Sequence, residues 1–245
     1  MNHFLLHRAG QCLAALRPHC LALTPALLVL AAPSAQALVD GGFDINPLTT
    51  IAAVINTPNP MLLGVWGQES ATRVGVVGPI APLSAPMMLS TTFTGGVTSQ
   101  TAQAFDVSSY AAQIAAGANF TLTGWYTALT AGPVGGMAMQ FFSGNTYASQ
   151  IGTPVFGNLA VDGNAPGWEP LSISGLIPLG TTTMMAQVYY SNASLITAAG
   201  TTQPGYVDSV GFQITPVPEP GTWLLLACGG MLVGWRRYQH ASSGA

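Results

Sequence analysis

The sequence predicts an all-β fold, an antiparallel β-sandwich, and three observations lead to it. Hydrophobic residues alternate with polar ones over several short segments, as they do in strands with one buried face. The 29 glycines and 18 prolines favour turns over long helices. Strand candidates recur at roughly even spacing with almost no helical periodicity between them, which is the pattern of a sandwich.

Four segments carry the strongest alternation, and each predicts which side chains face the core. The predicted buried faces are Phe120, Leu122, Gly124 and Tyr126; Met137, Met139 and Phe141; Met184, Ala186, Val188 and Tyr190; and Tyr206, Val210, Phe212 and Ile214. Further strands are predicted at 49–55, 72–77, 87–93, 100–107 and 168–174, with turns at 78–86, 131–136, 162–167 and 177–180. A helix is predicted at 108–117, with Ser108 as its N-cap and Gly117 just after its end.

Residues 1–37 predict a secretory signal peptide. Its parts are a positive region (Arg8, Arg17), an apolar run (21–32) and a small-x-small cleavage pattern (Ala35, Ala37). We therefore expect signal peptidase to cleave before Leu38 and the remaining chain to be exported. The alternative is a first transmembrane helix, which a short apolar run interrupted by proline disfavours.

The domain predicted over 38–215 lacks several residue types, and their absence excludes much chemistry. It contains no cysteine, histidine or lysine, and Arg73 is its one basic residue. The usual Ser-His-Asp and Cys-His mechanisms, zinc ligation, lysine Schiff bases and phosphate-binding P-loops all need one of the missing types. The absence of a basic patch also argues against nucleic acid as a partner.

Carboxylates are the reactive side chains that remain. Glu69 lies beside Trp66 in the sequence, and Glu169 lies beside Trp168. Two carboxylates that face each other at roughly 5–10 Å can hydrolyse a glycosidic bond, so a carboxylate-dependent glycosidase is one hypothesis. The alternative is a pair of exposed acids next to packing tryptophans. We favour the alternative and predict that the domain is not an enzyme.

Three tryptophans are candidate ligand-binding residues, because an indole ring can stack on a sugar. They are Trp66, Trp125 and Trp168. The competing interpretation is that they fill the core, as most large aromatic side chains do. Trp125 is the strongest of the three candidates, since its face of the predicted strand is otherwise threonine.

Asp208 is the most informative acid. The alternation places it on the same face as Val210 and Phe212, where a carboxylate is costly unless it is hydrogen-bonded or bound to a cation. One hypothesis is a structural Ca²⁺ held by Asp208, Asp44 and backbone carbonyls near 40–42. The other is that Asp208 lies at the strand end and caps a turn.

The C-terminal segment, 216–245, predicts a short transmembrane helix that serves as a removable sorting signal. It contains Pro218-Glu219-Pro220, an apolar run over 222–235, and then Arg236 and Arg237. The run from Trp223 to Trp235 would span about 20 Å as a helix, against about 30 Å for a bilayer core. It is therefore short for a permanent anchor, and it has no amphipathic face for a core helix.

Taken together, these C-terminal features resemble the PEP-CTERM sorting signal of Gram-negative bacteria, over 217–237. The resemblance implies transit through the inner membrane, recognition by a membrane exosortase, and cleavage near Pro218, Glu219 and Pro220. These three would then be substrate residues for another enzyme. It also implies a final location at the cell surface or in the exopolysaccharide matrix.

The middle of the chain is similar to galactose-binding-like jelly rolls. The similar stretches are 38–44, 103–126, 175–190 and 205–214. This resemblance implies a jelly-roll sandwich and a calcium ion near the opening element and the last strand, here Asp44 and Asp208. In this sequence Asp40 replaces the usual asparagine and Asp44 the usual glutamate.

These observations together predict an exported, non-catalytic protein of the surface or exopolysaccharide matrix that binds a glycan. A structural surface protein without a specific ligand is the alternative, and the glycosidase is a minor third hypothesis.

Overall fold

The computed structural model describes residues 38–94, 99–191, 202–217 and 228–232. The predicted leader with Ala35 and Ala37, the Pro218-Glu219-Pro220 element, and Arg236 and Arg237 lie outside the described residues. Of the predicted span at 222–235, only 228–232 is described, and these residues are helical and exposed. None of the helices in the described ranges is long and apolar enough to cross a membrane.

Strands dominate the described residues. They are β1 (Thr49–Thr50), β2 (Trp66–Gln68), β3 (Ala71–Val74), β4 (Met88–Thr94), β5 (Ser99–Asp106), β6 (Ala118–Ala128), β7 (Val134–Phe142), β8 (Gln150–Ala160), β9 (Glu169–Leu176), β10 (Thr183–Ser191) and β11 (Thr202–Pro216). Two short α-helices, α1 (Ile51–Ile55) and α2 (Ala111–Ala115), and two 3₁₀ turns, Ser108–Tyr110 and Tyr147–Ser149, accompany them.

The strands form two sheets, and the predicted all-β sandwich is confirmed. The six-stranded sheet has the order β1-β2-β5-β10-β7-β8, and the five-stranded sheet has the order β3-β4-β11-β6-β9. Every pairing is antiparallel except that of β1 with β2. From β4 to β11 the chain crosses between the sheets at every connection except the β7–β8 hairpin. Consecutive strands therefore supply opposite walls of one core.

The core lies between the sheets, and the alternation predicted most of it. The inward faces of β6, β7 and β10 are buried as predicted. They supply Phe120, Leu122 and Tyr126; Met137, Met139 and Phe141; and Met184, Ala186, Val188 and Tyr190. Two tyrosines are tied to neighbouring strands by their hydroxyls. Tyr126 donates to Gly136 O at 2.7 Å, and Tyr190 donates to Thr127 O at 3.0 Å.

The predicted strand at 49–55 is wrong over most of its length. Only β1 is extended, and 51–55 form α1, because Thr50 caps the first turn by accepting from Ala53 N at 3.3 Å. Ile51 and Val54 lie three residues apart and are both buried, which is helical spacing. The predicted helix at 108–117 is confirmed over 108–115, as a 3₁₀ turn followed by α2, but its N-cap residue is Val107 and not Ser108. Ser108 N donates to Asp106 Oδ1.

The edge strand β8 was not predicted. It contains Gly152, Pro154 and Gly157, which read as loop residues in the sequence. Among the strands that the structure describes, β8 pairs with β7 alone and lies at the edge of the six-stranded sheet, so it tolerates a proline that a central strand would not. The predicted turn at 131–136 is shorter than expected, since β7 begins at 134.

A β-bulge in β11 overturns the predicted face of Asp208. Asp208 pairs with Trp125 and Gly211 with Thr123, so β11 has one extra residue between these points. Ser209 is left-handed at φ 51°. The side chains before the bulge are therefore inverted relative to those after it. Val210 faces the core, whereas Asp208 and Tyr206 lie on the opposite face.

The N-terminal segment (38–46) is fastened first to the six-stranded sheet. The Gln103 side chain pairs with the backbone of Val39, accepting from its N at 2.7 Å and donating to its O at 2.8 Å. Trp66 Nε1 donates to the carbonyls of Val39 and Asp40, both at 3.0 Å. These two buried side chains therefore satisfy backbone groups of a segment that has no strand partner of its own.

The same segment is fastened to the five-stranded sheet. Val210 N, next to the bulge, donates to Gly41 O at 2.8 Å. The Arg73 guanidinium donates to Asn46 O at 3.0 Å and also to Asp44 O. The N-terminal segment thus links the two sheets through hydrogen bonds to its backbone, and it brings its own backbone close to β11.

We predict that Gly41→Ala destabilises the fold by about 2–3 kcal/mol, because overpacking at a fixed backbone contact costs this much. A Cβ on Gly41 would lie 1.9 Å from Val210 O. The matched control is Gly75→Ala, where the nearest atom to a Cβ is Pro86 O at 3.7 Å. Urea unfolding should show a change within about 0.5 kcal/mol for the control. Equal effects of the two substitutions would contradict the role of the segment.

We also predict that stability falls steeply above about pH 10. Burial raises the pKa of Tyr126 well above its ordinary value, and burial raises that of Tyr190 too. Above about pH 10 the unfolded chain loses these phenolic protons while the folded chain keeps them, so each costs about 1.4 kcal/mol per pH unit. Below that pH their contribution is complete.

Urea titrations from pH 8 to 11.5 test this. Tyr126→Phe should have a shallower decline above pH 10 than the wild type, at the cost of about 1 kcal/mol at neutral pH for the lost hydrogen bond. Parallel curves for the two proteins above pH 10 would show that Tyr126 is not a source of the decline.

Candidate functional site

The outer face of the six-stranded sheet carries an unusual set of polar side chains. In β10, Val188 and Tyr190 lie in the core, so Gln187 and Tyr189 lie on the outer face. A strand that fills the core with alternate residues leaves the other set for solvent or for a ligand. Gln187 is nevertheless only 8% exposed.

Four side chains form one hydrogen-bonded row across this face, called the amide chain below. Gln140 Nε2 donates to Gln187 Oε1 at 3.1 Å, and Gln187 Nε2 donates to Gln100 Oε1 at 3.4 Å. Gln100 Nε2 in turn donates to Glu69 Oε1 at 3.0 Å. The three glutamines lie on adjacent strands and are diagonal neighbours, because Gln100 pairs with Tyr189 and Gln140 pairs with Met185, each two residues from Gln187. Glu69 directly follows β2 on the far side of β5.

Glu69 sets the direction of the amide chain. An ionised carboxylate can only accept hydrogen bonds, so Gln100 must turn its NH₂ group toward Glu69 and its carbonyl toward Gln187. Each following amide repeats this orientation. Gln140 Oε1, the second oxygen of Glu69 and one N–H of each amide are not used within the chain. These groups can bind a ligand.

An aromatic side chain lies next to the amide chain. The Tyr189 ring covers Gly136 of β7 so closely that a Cβ there would lie 2.2 Å from a ring carbon. The Tyr189 hydroxyl donates to Asn158 Oδ1 of β8 at 2.6 Å. β8 places Phe156 on the same face, two residues before Asn158 and 61% exposed. The face therefore combines hydrogen-bonding amides with partly exposed rings.

A second hydrophobic cluster covers the other end of this outer face. α1 and the residue Met61 lie over small and apolar side chains of β5, β7 and β10. The cluster consists of Ile51, Val54, Met61, Ala102, Ala104, Phe142 and Met185. Helix α1, which the sequence did not predict, therefore covers the end of the face at which Ala104, Phe142 and Met185 lie.

The three predicted tryptophans do not form a site together. Trp66 is 1% exposed in the core, and its Nε1 holds the N-terminal segment, so the proposed ligand role of Trp66 is wrong. Trp168 is half-buried against Ile80 and donates to Ala81 O at 3.1 Å. Trp125 is half-buried on the outer face of the five-stranded sheet, beside Thr123 on β6.

Asp208 lies in the middle of β11 and not at the strand end that the second hypothesis placed it at, but it does accept hydrogen bonds from a turn. Its carboxylate is fully buried and accepts from Leu83 N at 2.6 Å, Ser84 N at 2.9 Å and Ser84 Oγ at 2.7 Å. It also accepts from Ser209 N inside the bulge. Burial raises the pKa of Asp208, and these hydrogen bonds act in the opposite direction.

The donors around Asp208 do not fit a calcium ion. The two oxygens of a carboxylate have about four lone-pair positions, and four hydrogen bonds occupy them here. Asp44 Oδ1 accepts from Met87 N at 2.8 Å. Within the described residues, no group of three or more histidine, cysteine, aspartate or glutamate side chains is arranged to hold a metal. A cavity of about 500 Å³ lies beside 38–44, with Asp44 and Ser84 in its wall.

The two glutamates of the glycosidase hypothesis lie on different sheets. Glu69 follows β2 in the six-stranded sheet and anchors the amide chain. Glu169 begins β9 in the five-stranded sheet, where its carboxylate accepts from Asp162 N at 3.0 Å. Each carboxylate therefore has a structural hydrogen-bond partner of its own.

Comparison with known proteins assigns the C-terminal segment. Residues 216–237 match the model of the PEP-CTERM protein-sorting motif. The chain carries a PEP-CTERM sorting motif. This motif implies an exosortase as the processing partner and export to the cell surface, and it confirms the resemblance seen in the sequence. Comparison with curated proteins finds no match.

Among solved structures, the chain is similar to two carbohydrate-binding modules and to one glycosidase. One is TmCBM61 in complex with β-1,4-galactotriose, at 12% identity and TM-score 0.46, covering 74% of this chain and 98% of that one. Another is the CBM22-2 xylan-binding domain of Paenibacillus barcinonensis Xyn10C, at 16% identity and TM-score 0.40, covering 67% and 96%. A third is the arabinose-bound MgGH51 α-L-arabinofuranosidase, at 13% identity and TM-score 0.44, covering 73% of this chain but 26% of that one.

We predict that EDTA changes the melting temperature by less than about 2 °C, because Asp208 already has hydrogen-bond donors in place of a cation. Asp208→Asn should instead cost about 2–3 kcal/mol, since an amide turns two donors toward backbone N–H groups. The exposed Asp162→Asn is the control. A melting temperature that EDTA lowers by several degrees and Ca²⁺ restores would contradict the assignment and revive the calcium site of Asp44 and Asp208.

Proposed function

We propose that the domain is a non-catalytic glycan-binding module and that its ligand lies on the outer face of the six-stranded sheet. The observation that supports this proposal is the amide chain ending on Glu69, next to the Tyr189 ring. Buried or half-buried amides that are fixed in one orientation present defined donors and acceptors. A sugar offers hydroxyl groups to such a row and an apolar ring face to an aromatic side chain.

The geometry of the face suits a weak but specific ligand. The amide chain crosses three adjacent strands and ends beside β2, so a polysaccharide lying across the strands can contact several amides in turn. Because the amides are already ordered by one another, little side-chain entropy is lost when the ligand binds. Tyr189 is likewise held by Asn158. A preformed site of this kind supports binding by many modest contacts.

The carboxylates support a binding role better than a hydrolytic one. Hydrolysis needs two carboxyl groups on either side of one bond, whereas Glu69 and Glu169 belong to different sheets. Glu69 also has a direct structural task, because it orients Gln100 and through it the whole amide chain. We therefore assign no catalytic residue.

The sorting motif gives the module a place to act. In our proposal, signal peptidase cleaves before Leu38, the chain passes the inner membrane, and exosortase processes the segment near Pro218-Glu219-Pro220. The module is then presented at the cell surface, where an exopolysaccharide is available as a ligand. A structural surface protein without a ligand is the competing function, and it predicts that no polysaccharide binds this face.

Affinity electrophoresis of the full chain in gels containing polysaccharide tests the proposal. Tyr189→Ala and Gln140→Ala should each weaken binding by about tenfold, which corresponds to about 1.4 kcal/mol. Trp125→Ala is the matched control, because it removes a half-buried aromatic side chain from the other sheet. Melting curves should show that the variants remain folded. Loss of binding in Trp125→Ala alone would move the site to the five-stranded sheet and refute the proposed face.

A further inference from the structure

We infer that the outer face of the six-stranded sheet selects an uncharged polysaccharide and rejects acidic ones. This inference rests on the proposed function and names the class of ligand for that face. It comes from two properties of the domain: where its single cation lies, and which hydrogen-bonding groups the amide chain leaves for a ligand.

The single cation of the domain is used elsewhere. Between residues 38 and 217 the sequence has no lysine or histidine, and Arg73 is the only arginine. Arg73 lies on β3 of the five-stranded sheet, and its guanidinium donates to the backbone carbonyls of Asp44 and Asn46. It therefore holds the N-terminal segment, and a uronate or sulfate on a ligand finds no cationic side chain on the outer face of the six-stranded sheet to neutralise it.

The remaining charges of the domain are negative. The same residues contain seven acids, which with one arginine give a formal net charge of −6. One of the seven is Glu69, which is exposed and ends the amide chain on the proposed face itself. At physiological ionic strength charges interact over about 8 Å, so an acidic residue of a ligand near Gln100 would be repelled by Glu69.

The unused groups of the amide chain match hydroxyls better than carboxylates. Both ends of the chain leave an acceptor: Gln140 Oε1 at one end and the second oxygen of Glu69 at the other. An acceptor needs a donor from the ligand. A sugar hydroxyl donates and accepts, whereas an ionised carboxylate only accepts. The amide N–H groups between these ends can bind the oxygens of the same hydroxyls.

The experiment compares neutral and acidic polysaccharides in affinity gels with the full chain. Dextran, xylan and galactan are the neutral probes, and alginate and hyaluronan are the acidic ones. We expect at least one neutral probe to retard the protein, equally in 20 mM and 500 mM NaCl, because no charge takes part. We expect neither acidic probe to retard it. Tyr189→Ala should weaken binding of the neutral probe by about tenfold.

A pair of charge variants makes the test sharper. Glu69→Lys places a cation on the face and should allow alginate to retard the protein at 20 mM but not at 500 mM NaCl. Asp162→Lys changes the net charge by the same amount in the loop that joins β8 to β9, away from the amide chain, and it should not allow this retardation. Equal gains in the two variants would show that net charge and not the face governs the response, and would overturn the inference.

The outcomes separate this inference from the proposed function. Retardation of the wild type by alginate or hyaluronan at least as strong as by any neutral probe overturns the inference and leaves glycan binding intact. Retardation by none of the five probes counts against the proposed function itself, and the inference fails with it.

Discussion

The buried carboxylate of Asp208 is the point on which the arrangement of the sandwich depends. It lies just before the bulge of β11, and four hydrogen bonds join it to Ser209 in the bulge and to the turn at 83–84. Because a fully buried charge is costly without such partners, bulge and turn must form together. The bulge then aims Val210 N at Gly41 O, and the N-terminal segment takes its place. Trp66 on β2 and Gln103 on β5 hold the other side of that segment. The same two strands position Glu69, which follows β2, and Gln100, which lies on β5.

The sequence predicted those parts of the fold in which alternation is uninterrupted. β6, β7 and β10 are regular and central, so period two correctly gave their core residues. Prediction failed where an irregularity intervenes. A single extra residue at Ser209 inverts every side chain before it relative to those after it, and no propensity at that position announces a bulge. The prediction missed β8 because edge strands accept the glycines and prolines that otherwise mark loops.

The candidate site was harder to predict than the fold, for a physical reason. Its amides come from β5, β7 and β10, and only the register of three strands brings Gln100, Gln140 and Gln187 into one row. In the sequence each is one polar residue on the outer side of a strand. The one available signal is that each of the three strands carries a glutamine on its outer face, whereas the outer face of β6 carries mostly threonine. The sequence instead predicted tryptophans as the ligand-binding residues. Trp66 lies in the core, because its large ring buries much apolar surface and its one donor has hydrogen-bond partners there.

The scarcity of charge connects the stability of the domain with the chemistry of its surface. With one arginine available, the fold uses it to hold backbone carbonyls of the N-terminal segment, and it uses the carboxylates of Asp40, Asp44 and Asp208 to hold backbone N–H groups. The polar face is consequently built from neutral amides and needs only Glu69 to give them a common direction. The sorting motif is separate from this face, so the match over 216–237 places no demand on the charge of the face. The sorting motif and the amide chain thus belong to different parts of the chain, and a substitution in one need not disturb the other.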